Sequence, residues 1–412
     1  MPKTIRLIPR TALDMVFWAM VIDYTVFGMI LPIFPSLFFD EERSVFELTT
    51  SHDTRTLLFG LLAGSYAFSA FLGAPILGAW SDRVGRKRAL LFAFSANLLS
   101  YILIAVSIIY NQVWLLFAAR IIAGLFGSSL PVIQSALSDL SNEKSKVHNF
   151  GLPAVAFGIG IIIGPVLGGV LSNPDLVHWF RYTTPFFLII GLSFLNLIFI
   201  NHYFPDSVAV RNSKPIKWHS GFYNISAALR DKRLANIFLV IFSLTCGFYF
   251  FIQFYQVYLK QKFEVDETHL GLIFGFSGVL LALVQGLLLK PLSKKMEPQR
   301  ILLFSLPLFA IGYLLMMIPQ NYWLSFAFLP FMALFQGLSY PNTLVIVSNQ
   351  ADEKFQGEII GINQSVSSLA MAIPPVVAAF AMTFTLDFPM LFGAGCTLIA
   401  WVIFVYGWRN KL

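Results

Sequence analysis

The chain has 412 residues, of which 57% are hydrophobic and only 12% charged, with a mean hydropathy of +0.74. Soluble domains carry about 25% charged residues, so this composition excludes an ordinary soluble globule and points to a lipid-embedded protein, apolar outside as well as inside. The formal charge of +7 would suggest nucleic acid or acidic partners in a soluble chain, but the basic residues fall between apolar segments, where topology accounts for them.

A bilayer core needs about 20 mostly apolar residues per helix. Twelve segments qualify: 12–38, 56–80, 88–109, 112–138, 148–172, 183–204, 233–260, 267–291, 299–319, 321–347, 356–384 and 387–408. The expected fold class is therefore all-α and membrane-spanning. The basic start MPKTIRLIPR precedes an apolar run too long for a signal-peptide core, with no clear cleavage site, so the first segment is expected to be retained.

Segment 1 carries Asp23 and Tyr24, and segment 4 carries Arg120 and Gln134. At a rise of about 1.5 Å per residue, Asp23 lies about 16 Å from one end of its helix and Arg120 about 12 Å from the other end of its own. Ionisable groups at that depth are costly and mark either a function or a mutual ion pair. Asp14 and the run Asp40, Glu41, Glu42 read as solvated helix ends. Between segments 2 and 3 stands Gly78-Ala-Trp-Ser-Asp82-Arg83-Val-Gly85-Arg86-Lys87-Arg88. Here Gly78 permits close helix contact, Gly85 permits a tight turn, and the charges can pair across a helix end. Asp139 is the expected partner of Arg83 or Arg86. A basic loop that only sets topology is the plainer alternative.

Segment 5 contains Gly160-Ile-Ile-Ile-Gly164-Pro165-Val-Leu-Gly168-Gly169. Its glycines let a neighbouring helix approach, and Pro165 removes a backbone bond and bends the helix. An ordinary small-residue packing face would need no more than that. A polar stretch, 205–232, separates segments 6 and 7. Segment 7 is aromatic and amide-rich, and Tyr249, Gln253 and Gln256 are its expected ligand-facing groups. Segment 11 adds Asn363 and Gln364. Apolar walls with a few amides suit a small amphipathic ligand, although most of the 43 phenylalanines are expected to face lipid. Glu358 opens segment 11, where its charge suits a helix N-terminus.

The charges give an orientation. With the N-terminus in the cytoplasm, inner connections hold twenty-two Lys and Arg and outer ones five, with Arg120 inside a helix. The positive-inside rule then places both termini in the cytoplasm. The chain also repeats. A shift of 210 residues superposes Asn111 on Asn321, Gly127 on Gly337, Ser129 on Ser339, Pro131 on Pro341 and Pro165 on Pro375, and extends to Glu143 on Glu353, Lys144 on Lys354 and Gly151 on Gly361. A shift of 211 brings Gly60 and Gly64 onto Gly271 and Gly275. Two halves follow, 1–204 and 233–412, joined by the cytoplasmic linker 205–232. Proteins built this way bind a ligand between the repeats and rock the halves around it.

The 78–88 loop resembles the G-x-x-x-D-R-x-G-R-[KR] signature of the major facilitator superfamily. Residues 160–169 resemble the G-x-x-x-G-P-x-x-G-G motif of its proton-coupled exporters. The surroundings of Asp23 and Arg120, with Gly28, Pro32, Pro35 and Gly124, resemble those of its twelve-helix drug:proton antiporters, and the 356–375 stretch that of the tetracycline-antiporter branch. The resemblance implies the major facilitator fold, two pseudo-symmetric six-helix bundles. It also implies proton-coupled export of a small amphipathic molecule, with Asp23 and Arg120 in proton coupling and the 78–88 loop as an inner latch. It implies no cofactor beyond the proton gradient, a monomer, and a bacterial inner membrane. The second-half loop, Gly286 to Arg300, lacks the signature, so the latch is expected in one half only. Uptake by proton symport of a nutrient, amino acid or siderophore is the second reading. A membrane enzyme is third, and no nucleophile–base set, metal cluster or phosphate loop in the sequence supports it.

Overall fold

In a computed structural model of the chain, which describes residues 10–40, 43–47, 49–140, 146–205, 232–349 and 356–408, the regular elements are all helices. They are α1 (Arg10–Phe39), α2 (His52–Val84), α3 (Arg86–Tyr110), α4 (Val113–Gly127, then Leu130–Asp139), α5 (Lys146–Ser172) and α6 (Thr184–Tyr203). There follow α7 (Lys232–Phe263), α8 (Glu267–Leu283, a π-helical turn Val284–Leu289, then Lys290–Lys295), α9 (Pro298–Leu315), α10 (Tyr322–Asn349), α11 (Gln356–Met382) and α12 (Phe388–Trp408). Each of the twelve expected segments is a helix or broken helix long and apolar enough to cross a bilayer. Most of the expected linker, the side chains of Gly151, Glu358 and Gly361, and Glu41, Glu42, Glu143, Lys144, Glu353 and Lys354 lie outside the described residues.

Helix ends follow local chemistry. The Ser51 hydroxyl accepts from the Thr54 N–H at 3.3 Å and starts α2, and Asp266 accepts from the His269 N–H at 2.8 Å and starts α8. Each satisfies an N–H that has no partner within its helix. Trp114, Phe380 and Phe384 are 73%, 61% and 71% exposed, as the outer surface of a lipid-embedded bundle requires.

The sequence repeat reappears as matched packing. Helix α1 packs on α5 as α7 packs on α11, and α3 packs on α6 as α9 packs on α12. Across the two halves α2 packs on α11, and α5 on α8. A Cβ on Gly60 would lie 2.3 Å from the Pro375 carbonyl oxygen, and one on Gly271 would lie 2.4 Å from that of Pro165. Those four residues are related pairwise by the 210–211 shift. Only glycine lets the backbones approach so closely, so one repeated pair of residues builds both seams. The seams lie toward the face where α2 and α8 begin, called here the opposite face. The face where α1 begins and α12 ends is the terminal face.

Candidate functional site

A cavity of about 320 Å³ lies between the halves, lined by Asp23, Tyr24, Tyr66, Asn97, Tyr101, Arg120, Ser129, Phe157, Tyr249 and Gln364 among others. Its most polar corner comes from a defect in α4. The helix stops at Gly127 and restarts at Leu130, with Pro131 in the new first turn, where its missing N–H costs nothing. The freed carbonyls find side chains: the Asn97 amide donates to the Gly127 oxygen at 3.0 Å, and the Ser128 hydroxyl to that of Gly124 at 2.6 Å. The break leaves the Ser129 hydroxyl donating to Asp23 Oδ2 at 2.9 Å. In the other half Ser339 bonds instead to Ser305 and to the Phe335 carbonyl within an unbroken α10. The break belongs to the half that carries the membrane carboxylate.

Arg120 and Asp23 share the cavity without an ion pair. The guanidinium lies 4.2 Å from the centre of the Tyr66 ring and 5.4 Å from that of Phe34. Its buried Nε has no hydrogen-bond partner among the described residues. Cation–π contact of this kind offsets part of the desolvation cost but leaves the donors available to a ligand.

Of the ligand-facing residues singled out from sequence, Tyr24, Tyr249 and Gln364 line the cavity. Gln253 and Gln256 face a smaller space of about 20 Å³ that Arg120 also borders. Gln134 and Asn363 are not among the residues lining these spaces. Tyr66, Asn97 and Tyr101 were not singled out from sequence, and Ser129 only as a position of the repeat. An apolar annex of about 70 Å³, lined by Phe27, Phe157, Phe248, Phe251, Tyr255 and Met332 among others, adjoins the cavity through Phe27, Phe157 and Tyr249. A molecule with one polar end and an apolar body fits that division.

The glycine motif of α5 has two faces rather than one. Gly160, Gly164 and Gly168 lie against α1 from Tyr24 to Met29, and Gly169 lies against Glu267 and Thr268 of the other half. This one helix thus touches the Asp23-bearing helix and the opposite half together.

At the terminal face Gly85, with φ 94°, makes the turn between α2 and α3. Arg86 Nε bonds to Asp139 Oδ2 at 2.8 Å, and its Nη1 reaches Asp82 at 2.5 Å. Arg83 lies in the last turn of α2 and Lys87 in the first turn of α3. Gly78 has only ordinary contact with Pro131, at 3.5 Å from a built Cβ, so no close approach requires a glycine there. These bonds tie α2, α3 and α4 together within one half. Asp139→Asn removes a charged acceptor from a buried arginine, a loss of about 1 kcal/mol at this half-exposed site. The expected outcome is a several-fold fall in turnover with unchanged protein yield, read by transport in vesicles.

At the opposite face the reading of Asp40 as a solvated end is corrected: its side chain is only 13% exposed. Asp40 bonds to Arg43 at 2.9 Å and accepts from the Tyr182 hydroxyl at 2.7 Å. The same hydroxyl lies 2.6 Å from Glu267 Oε1, a side chain with no exposure, and Arg43 and Lys260 reach Glu267 at 3.4 and 3.5 Å. Asn173 adds bonds to Asp266 and Thr268 at 3.1 and 2.9 Å. Burial pushes the Tyr182 phenol well up, with Glu267 and Asp40 adding to it. Burial works against the Arg43 cation, but Tyr182, Glu267 and Asp40 outweigh it and hold its proton more tightly. Asp40, Arg43, Asn173 and Tyr182 come from one half and Lys260, Asp266 and Glu267 from the other, so the network closes this face.

A twelve-helix bundle built from a repeat, with a cavity between its halves and a membrane carboxylate in the cavity wall, is the architecture of a secondary transporter. The family description "Major Facilitator Superfamily" matches residues 16–375, and again 237–411, and the chain belongs to that superfamily. It is 27% identical to "Tetracycline resistance protein, class C" of Escherichia coli over 371 residues, 89% of either chain. It is 22% identical to "Multidrug resistance protein 2" of Bacillus subtilis over 390 residues, 93% of this chain and 92% of the relative. The crystal structure of the human organic anion transporter MFSD10 (TETRAN) superposes with a TM-score of 0.71 at 20% identity, covering 96% of this chain and 99% of that one.

Proposed function

We propose that the chain is a proton-coupled exporter of a small amphipathic molecule, working by alternating access. The observation that carries this reading is Asp23, a carboxylate in the cavity wall held by one hydroxyl and open to either a proton or a ligand. The aromatic walls, the apolar annex and relatives named for tetracycline and multidrug resistance support it. In this reading Asp23 takes a proton from outside and releases it inside, and substrate competes with that proton. Tyr24, Tyr249 and Gln364 contact the substrate directly, and Gln253 and Gln256 stand beside Arg120 at the edge of the site. Transport involves no chemical step and no bound cofactor; the proton gradient drives it. The charge distribution of the loops supports a cytoplasmic position for both termini, and hence for the terminal face, and the membrane in this reading is a bacterial inner membrane. The protein acts as a monomer of two halves, 1–204 and 233–412, with 205–232 as linker.

One observation favours symport as a second reading. Arg120 is a buried cation without an acidic partner beside the same cavity. An anion held there would bind best with Asp23 protonated, so proton and substrate would move together. Reconstituted protein loaded with tetracycline or ethidium, and tested with naphthoate as an anion, separates the two. Proton movement opposite to the substrate establishes export by exchange. Movement in the same direction establishes symport and overturns the first reading.

A further inference from the structure

The small space beside Arg120 brings together two buried polar atoms of opposite kind. It measures about 20 Å³ and is bordered by Arg120, Gln253 and Gln256, with Ile30, Phe34 and Phe59 among its apolar walls. Arg120 and Gln256 are 8% and 1% exposed. Arg120 Nε and Gln256 Oε1 are both buried with no hydrogen-bond partner among the described residues. The identity of the Gln256 oxygen follows from its neighbour: Nε2 of the same amide donates to the Gln253 carbonyl at 3.1 Å, which an amide oxygen cannot do. The rings of Tyr66 and Phe34 hold the guanidinium in place. The space therefore offers one fixed donor and one fixed acceptor.

Buried polar atoms of this kind are costly unless something bonds to them. A group that suits both must accept from the Arg120 N–H and donate to the Gln256 oxygen. Water does so, and so does an alcohol hydroxyl. The size agrees, because one water needs about 10–15 Å³ of such space. A carboxylate accepts but does not donate, so it sets one oxygen against another at Gln256, and it is larger than a hydroxyl. A methyl group fills the space and bonds to neither side. The space adjoins the main cavity at Phe27, Ile30 and Arg120, which line both, so a ligand in the cavity can extend one small group past Arg120.

We propose that Arg120 and Gln256 form a hydroxyl-binding subsite, which holds a water molecule in the substrate-free protein and an alcohol hydroxyl of the substrate in the loaded one. The proposal rests on the reading of the cavity as the site of an amphipathic molecule and holds for either direction of transport. Arg120 donates to any acceptor, whereas Gln256 demands a donor, so Gln256 determines the preference for an alcohol over an anion or a plain hydrocarbon. Arg120 belongs to one half and Gln256 to the other, so the hydroxyl is held only while the two stand together.

The test measures equilibrium binding of three probes that share one ring system: naphthylmethanol, methylnaphthalene and naphthoate. The full chain is held in lipid nanodiscs, and empty nanodiscs give the partitioning into lipid to be subtracted. The alcohol is expected to bind at least about tenfold more tightly than the methyl compound, and more tightly than naphthoate. Gln256→Leu, of similar volume but with no acceptor, should bring the alcohol-to-methyl ratio close to one. That ratio is insensitive to a general loosening of the cavity, which weakens both probes alike. A ratio near one in the wild-type protein, a ratio unchanged in Gln256→Leu, or naphthoate as the tightest of the three overturns the subsite. A high-resolution density map of the substrate-free protein needs no variant. Ordered water within hydrogen-bond distance of both Arg120 Nε and Gln256 Oε1 is expected, and a dry space overturns the subsite whatever the probes do. Ordered water there with no probe bound would instead sink the amphipathic-molecule reading of the cavity, and the ligand half of the proposal with it.

Discussion

Asp23→Asn is expected to bind substrate weakly, as the acid-titrated wild-type protein does, and to lose the dependence of binding on pH. In the wild-type protein proton and substrate compete for one carboxylate. Below the titration range of that group, substrate affinity should then fall about tenfold for each unit of acidification, the limit for one proton. An amide neither binds nor releases that proton, so the slope goes to zero and uphill accumulation falls to background. Exchange of labelled for unlabelled substrate down no gradient needs no proton and should persist. The measurement is equilibrium binding across pH beside vesicle accumulation and exchange. A variant that kept both the pH slope and accumulation would make Asp23 structural and move coupling elsewhere. Asp23→Glu, which keeps a titratable carboxyl on a longer arm, should retain a slope with lower turnover.

The parts of this picture legible in the sequence are those written into single segments. Twelve apolar runs gave twelve spans, with α1 at Arg10–Phe39 against an expected 12–38 and α7 at Lys232–Phe263 against 233–260. The glycine and proline register of the repeat became the Gly60–Pro375 and Gly271–Pro165 seams. Asp23, Tyr24, Tyr249 and Gln364 reached the cavity because inward-facing polar groups are rare enough in such segments to be conspicuous. What was not legible depends on several elements at once. Segment 4 reads as one apolar helix, and the Ser128–Ser129 break shows only when Asn97 of α3 takes up the freed Gly127 carbonyl. Pro131 was its one local signal. Tyr66 and Tyr101 were lost among 14 tyrosines. Asp40 looked like any acidic helix end, because Tyr182 and Glu267 stand 142 and 227 positions further along the chain.

Gly164→Leu is expected to abolish transport, and Gly158→Ala, six residues earlier on α5, to leave it intact. The contrast isolates close packing from helix propensity. A Cβ on Gly164 would stand 2.4 Å from the Thr25 carbonyl oxygen and 2.8 Å from the Gly28 Cα, whereas one on Gly158 meets nothing within 4 Å. The clash is with backbone on both counts, and Gly28 has no side chain to move aside; a Cβ on Gly28 would itself stand 2.8 Å from Pro165. Overpacking of this kind costs about 1–3 kcal/mol even after relaxation. The relaxation available is a displacement of α1 at Thr25, two residues from Asp23. Alanine at Gly158 removes a helix-weakening glycine and is expected to be neutral or stabilising by up to about 1 kcal/mol. Thermal unfolding of the purified variants reads the packing term, and vesicle transport reads the function. If Gly164→Leu were destabilised but still transported at the wild-type rate, α5 would be holding α1 in place without setting the position of Asp23. If it were stable and inactive, the α1–α5 contact would be fixing that carboxylate in the cavity, which is the role assigned to it here.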